Sequence, residues 1–164
     1  MPSRGATLRL WAVLALLVVM QFYIRPRLWD SRAAPDFLLL ALILFAIRSR
    51  PGHAAIAGFI TGIAADAMTP ARFGAGALAH TMVGYLAAWG RAVFFADNLV
   101  VNAGLIFGGT WLRNAIVLIA SGTGGEHLLS GLTFWSPLQA AATALAGVIV
   151  LVVFRSWLDI RLET

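Results

Sequence analysis

The chain predicts an all-α integral membrane protein, a compact bundle of about six transmembrane helices, and three observations carry that expectation. Sixty per cent of its 164 residues are hydrophobic and only 12% are charged, against roughly 25% for a water-soluble domain. Long apolar runs alternate with short breaks rich in arginine, proline and glycine. Within residues 53–88, Gly58, Gly62 and Asp66 fall at i, i+4 and i+8, so they share one face of an apolar helix. Such a small-residue face lets a second backbone approach closely. Glycine-rich sequence can also be coenzyme-binding backbone, but the GxGxxG order and a preceding strand are both missing.

Length leaves room for a single polytopic domain over residues 1–164. The net charge of +5 comes from twelve arginines without a lysine. They are scattered among apolar runs rather than gathered into a patch, which points to membrane topology and interfacial anchoring and away from nucleic acid. Cysteine is absent, which excludes a disulfide framework and thiolate chemistry.

The elements follow in order. A basic head with Arg4 and Arg9 precedes an apolar run, and residues 8–24 make a first helix. This resembles a signal peptide, but the segment QFYIR at its end lacks a small-residue cleavage pattern. Residues 25–35 form a polar break with Pro26 and Trp29. The second segment, 33–48, contains an unbroken apolar run of only 11 residues. It is the weakest crossing: a tilted or half-buried helix in thinned bilayer, or a re-entrant segment. Asp36 at its start suits a helix N-cap.

A basic turn at 48–52 leads to helices over 54–68 and 74–95, with Pro70 and Arg72 in the loop between them and Arg91 and Asp97 at the next boundary. A fifth helix over 99–120 carries Arg113 well inside it. Residues 121–136 read as the longest loop, and Pro137 opens a sixth helix over 137–154. In the tail, Trp157 suits an interfacial anchor. With the N-terminus inside, cytoplasmic segments hold Arg4, Arg9, Arg48, Arg50, Arg91, Arg155 and Arg161, against Arg25, Arg32, Arg27 and Arg72 outside, which favours cytoplasmic termini.

Ionisable groups inside membrane helices are costly and face the bundle interior, so they are the functional candidates. Asp66, His80 and Arg113 all fall in the outer part of the bilayer, Arg113 roughly 21 Å along its helix at ~1.5 Å per residue. Equal depth suggests an Asp66–Arg113 charge pair with His80 hydrogen-bonding nearby. The rival readings are a head-group carboxylate for Asp66 and a snorkelling Arg113. Asn102 suits an inter-helix hydrogen bond, and Gly109 close packing. His80, Gly84 and Ala88 line another i, i+4 face. The three histidines stand in different segments without metal-ligand spacing, so neither a metal nor another cofactor is expected. No nucleophile–base arrangement, Walker loop or paired carboxylate is present, which points to a non-catalytic membrane component.

Residues 35–47, PDFLLLALILFAI, the basic turn, and residues 58–88, GFITGIAADAMTPARFGAGALAHTMVGYLAA, resemble the bacterial rod shape-determining protein MreD family. The positions carrying the resemblance are Pro35; Gly58, Phe59, Gly62 and Asp66; and Gly74, Leu78, Gly84 and Tyr85. The resemblance implies an inner-membrane component of the cell-wall elongation machinery. Its implied partners are MreC and MreB and, through them, RodA and its penicillin-binding transpeptidase. It also implies a layout similar to the membrane-embedded substrate-binding subunits of energy-coupling-factor transporters. A small-solute-binding transporter subunit is the alternative function. Candidate packing or partner-contact residues are Gly58, Phe59, Gly62, Asp66, His80, Gly84, Asn102 and Arg113.

Overall fold

The computed structural model describes residues 4–28, 32–68, 73–93 and 98–154. Trp29, Pro70, Arg72, Asp97, the 94–95 end of the fourth expected helix, and the tail with Trp157, Arg155 and Arg161 lie outside them. The described chain is all-helical: α1 (Arg4–Tyr23), α2 (Phe37–Ala46), α3 (Pro51–Ala67), α4 (Ala75–Val93), α5 (Leu99–Ala120), α6 (Gly125–Ser130) and α7 (Ser136–Val153). A short 3-10 turn, Arg25–Arg27, follows α1.

The centre of the molecule is a short helix. α2 has ten residues, about 15 Å of helix at ~1.5 Å per residue, and every one of them except Phe45 is buried. A helix apolar on all sides has no polar face to show to water. Here it is enclosed by protein, because α1, α3, α4, α5 and α7 all touch it. The run that looked like the weakest crossing is thus the core helix of the bundle.

The surrounding helices each turn a narrow stripe inward. Buried positions recur every four residues: Val13, Leu17 and Gln21 on α1; Ala54, Gly58, Gly62 and Asp66 on α3; Asn102, Ile106, Thr110 and Asn114 on α5. On α7 the stripe is polar at the start (Ser136, Gln139, Thr143) and apolar or small further on (Gly147, Leu151). Outward positions carry large apolar side chains such as Trp11, Phe59, Trp89 and Ile119, the arrangement of a bundle whose solvent is lipid.

Among the described residues, three helical stretches are long and apolar enough to cross a membrane: 7–27, Leu99–Ala120 and 125–153. α3 has 17 residues, and α4 is diluted by glycines, His80, Thr81 and Arg91. The third stretch corrects the expected long loop at 121–136. After a turn in which Gly122 and Gly125 take positive φ angles of 66° and 61°, the chain is already helical from Gly125. It passes through a wider π-turn at Gly131–Trp135 into α7. Glycines and serines lower intrinsic helix preference, but Trp111 Nε1 on α5 donates to the Leu132 carbonyl at 3.2 Å and ties the segment down.

Candidate functional site

Two polar clusters are built into this apolar bundle. The larger lies where α2 begins. A helix start leaves backbone N–H groups without intrahelical partners, and inside an apolar bundle water cannot supply them. Gln21, on the last turn of α1, takes two of them through Oε1: Phe37 N at 3.0 Å and Leu38 N at 3.3 Å. Asp36 Oδ1 takes the third, Leu39 N, at 3.0 Å. The amide of Asp36 donates to Thr143 Oγ1 on α7 at 3.1 Å.

A buried carboxylate needs a counter-charge, and α5 provides it. Arg113 Nη2 lies 3.5 Å from Asp36 Oδ2, and its Nη1 donates to Asn114 Oδ1 at 2.8 Å. Asn114 Nδ2 passes the chain on to Gln139 Oε1 at 2.8 Å, and Gln139 Nε2 donates to the Ala34 carbonyl at 3.0 Å. One connected network therefore joins α1, α2, α5 and α7. Polar networks of this kind fix relative helix positions because each broken link strands a buried group.

The second cluster joins α3 to α4. Asp66 accepts from three amides at the start of α4: Gly74 N at 2.8 Å, Gly76 N at 2.9 Å and Ala77 N at 2.9 Å. The carboxylate thus sits on the positive end of the helix dipole. Gly74 takes φ +97°, and a Cβ on Gly76 would overlap Asp66 Oδ1. Beyond this point the two helices touch through their backbones. A Cβ on Gly58 would overlap the His80 carbonyl oxygen; one on Gly62 would stand 2.5 Å from Ala77 Cα; one on Gly84 would stand 2.5 Å from the Ala54 oxygen.

The expected Asp66–Arg113 pair is therefore not what forms: Asp66 is engaged by the α4 amides and Arg113 by Asp36. His80 is fully buried and joins neither carboxylate by hydrogen bond. Its Nδ1 lies 2.8 Å from the Gly76 carbonyl, and its Nε2 has no hydrogen-bond partner. Asn102 is buried, and its Nδ2 donates within its own helix to the Asn98 carbonyl at 3.1 Å. Phe59 points outward and is half exposed. Gly109 faces Ile43 and Val83, so α5 approaches α2 and α4 there.

Sequence reasoning missed Gln21, Asn114, Gln139 and Thr143. The signal for Gln21 was a single uncharged polar residue closing an apolar i, i+4 stripe; Asn114, Gln139 and Thr143 lie in stripes that mix polar and apolar residues. Among the described residues no three His, Cys, Asp or Glu side chains gather in a way that could hold a metal ion. What the two clusters can do is set helix register and neutralise buried charge.

A helical membrane bundle whose interior is locked by hydrogen-bonded polar side chains defines the class. The particular family is given by comparison with known families: the model described as rod shape-determining protein MreD matches residues 4–157, nearly the whole chain. The chain belongs to the MreD family. No curated protein and no solved structure matches it.

Proposed function

We propose that the chain is a non-catalytic component of the cell-wall elongation complex in the bacterial inner membrane, where it maintains rod shape by scaffolding or regulating peptidoglycan synthesis. The observation that carries this reading is the family match over residues 4–157. The fold supports it: the polar side chains of the Asp36 and Asp66 clusters join helices, and the outer faces of α1, α3, α4 and α7 are apolar. On this reading the chain crosses the bilayer six times. The short α2 and the less apolar α3 and α4 are carried by the three longer spans, and both termini face the cytoplasm. MreC is the direct partner, with MreB, RodA and its penicillin-binding transpeptidase reached through the complex.

The test is complementation combined with capture. Expression of this chain in rod-shaped cells depleted of their own family member should restore rods, and affinity purification from those cells should recover MreC. Spherical cells despite full membrane expression would overturn the reading. Recovery of energy-coupling ATPase subunits with a vitamin-like solute would replace it by the transporter subunit. Reporter fusions in the turn at 48–52 should report a cytoplasmic location.

A further inference from the structure

A cleft of about 640 Å³ opens beside the larger polar cluster, between the end of α1, the second half of α5 and the α6–α7 segment. Four of its lining side chains are Arg25, Arg32, Arg113 and His127, and no carboxylate of a described residue lines it. We propose that this cleft is a binding site for a phosphate-bearing ligand, a site that stands on its own geometry and does not rest on the shape-determining role.

Three features of the wall define the chemistry. The first is the kind of cation. All three strong cations are guanidiniums, whose planar fork of donors matches phosphate oxygens better than the ammonium of lysine does. The second is preorganisation. Arg113 is held by Asp36 through Nη2 and by Asn114 through Nη1, and its buried Nε has no hydrogen-bond partner. The guanidinium carbon of Arg32 lies 5.1 Å from the centre of the Trp135 ring, a cation–π contact that holds a second charge at the wall. Trp135 closes the π-turn, a helical irregularity that occurs often at functional sites. The third is size. The volume lies within the range of small-molecule sites, roughly 300–1,000 Å³, and far exceeds what one inorganic phosphate fills. Val117 and Leu118 give the cleft an apolar flank, so the ligand carries non-polar or neutral structure beside its phosphate.

The position is consistent with that chemistry. Arg113 is seven residues before the end of α5, about 10 Å from it at ~1.5 Å per residue, while Arg25 lies two residues past the end of α1 and His127 lies in α6. The cations therefore run from the interior of the bundle toward one of its ends, a depth at which a phosphate on an amphiphile and a phosphate from solution can both reach them.

The experiment separates these sources. The full-length protein in neutral maltoside detergent is titrated with sodium pyrophosphate in one arm and with dodecyl phosphate in the other, and the thermal unfolding midpoint is followed. A ligand that binds the folded state alone raises that midpoint. The expected result is a saturable rise with at least one of the two probes. In the Arg25→Gln/Arg32→Gln variant, which leaves the Asp36–Arg113 pair in place, affinity should fall about tenfold or more. A rise with pyrophosphate identifies a soluble phosphate; a rise with dodecyl phosphate alone identifies a lipid-borne one. No rise with either probe, or equal rises in the folded variant and the parent protein, overturns the proposal.

Discussion

Arg113 and Asp36, 77 residues apart in the chain, meet at 3.5 Å in the interior of the bundle, and the carboxylate that receives the guanidinium also caps the buried helix α2. This one contact couples the position of α5 to the start of the core helix. Removing one partner of a buried ion pair strands the other charge and costs about 3–5 kcal/mol. Asp36→Asn and Arg113→Gln are each expected to lower the unfolding midpoint strongly in detergent. The double variant should lose less than the sum of the two, by roughly 0.5–3 kcal/mol, the range for residues in contact. Strict additivity would remove the pair from the account.

Gln21 tests whether the α2 start depends on borrowed acceptors. Gln21→Leu keeps the volume and apolar contact of that position but leaves the amides of Phe37 and Leu38 without their acceptor. Each stranded buried donor costs about 1–3 kcal/mol. The variant should show a lower unfolding midpoint, and hydrogen exchange should quicken first at the amides of Phe37 and Leu38. Unchanged exchange at those amides would show that Gln21 is not their protection.

The Asp66 knot makes a paired prediction. Gly76→Ala forces a methyl group into Asp66 Oδ1, and Asp66→Asn replaces one of its two acceptor oxygens with a donor facing backbone N–H groups. Both should destabilise the α3–α4 unit, the second by about 1–3 kcal/mol. Because they damage the same contact, the combined variant should be little worse than the more severe single one. Calorimetry or chemical unfolding of the three purified variants decides this.

Much of the helical class could be read from residue patterns, and the candidate site much less. Composition alone calls for apolar helices, and the i, i+4 spacing of Gly58, Gly62 and Asp66 puts them on one face without any structure. Depth along the helices is a weaker guide. It grouped Asp66, His80 and Arg113, yet Asp36 begins a neighbouring helix at the same level and was equally qualified to meet the arginine. Its capping role hid it, since one carboxylate can satisfy an amide and a guanidinium at once. Gln21, Asn114, Gln139 and Thr143 carry no charge, and nothing in a one-dimensional pattern tells which other stripe each will face. The helix from Gly125 onward was obscured by Gly122, Gly124 and Gly125 at and just before its start, two of which take positive φ angles.

The glycine contacts between α3 and α4 give the last prediction, with its control in the same protein. Added methyl groups at Gly58 and Gly62 would meet backbone atoms of α4, which cannot move aside as a side-chain tip can. Gly104 and Gly108, on the exposed side of α5, have nothing within 4 Å of the same added atom. Alanine in an open helical position gains about 0.5–1 kcal/mol over glycine through backbone entropy, whereas forcing a methyl into close-packed structure costs about 1–3 kcal/mol. Gly104→Ala and Gly108→Ala should therefore leave the unfolding midpoint unchanged or raise it, while Gly58→Ala and Gly62→Ala should lower it and separate α3 from α4. The separation is readable as a longer distance between spin labels placed at Ile60 and Leu78, both on outward faces. Capture of MreC by a Gly62→Ala protein that remains folded would show that this face serves the chain's own packing rather than the proposed contact with MreC. If all four variants behaved alike, the close backbone approach of α3 and α4 would have to be abandoned.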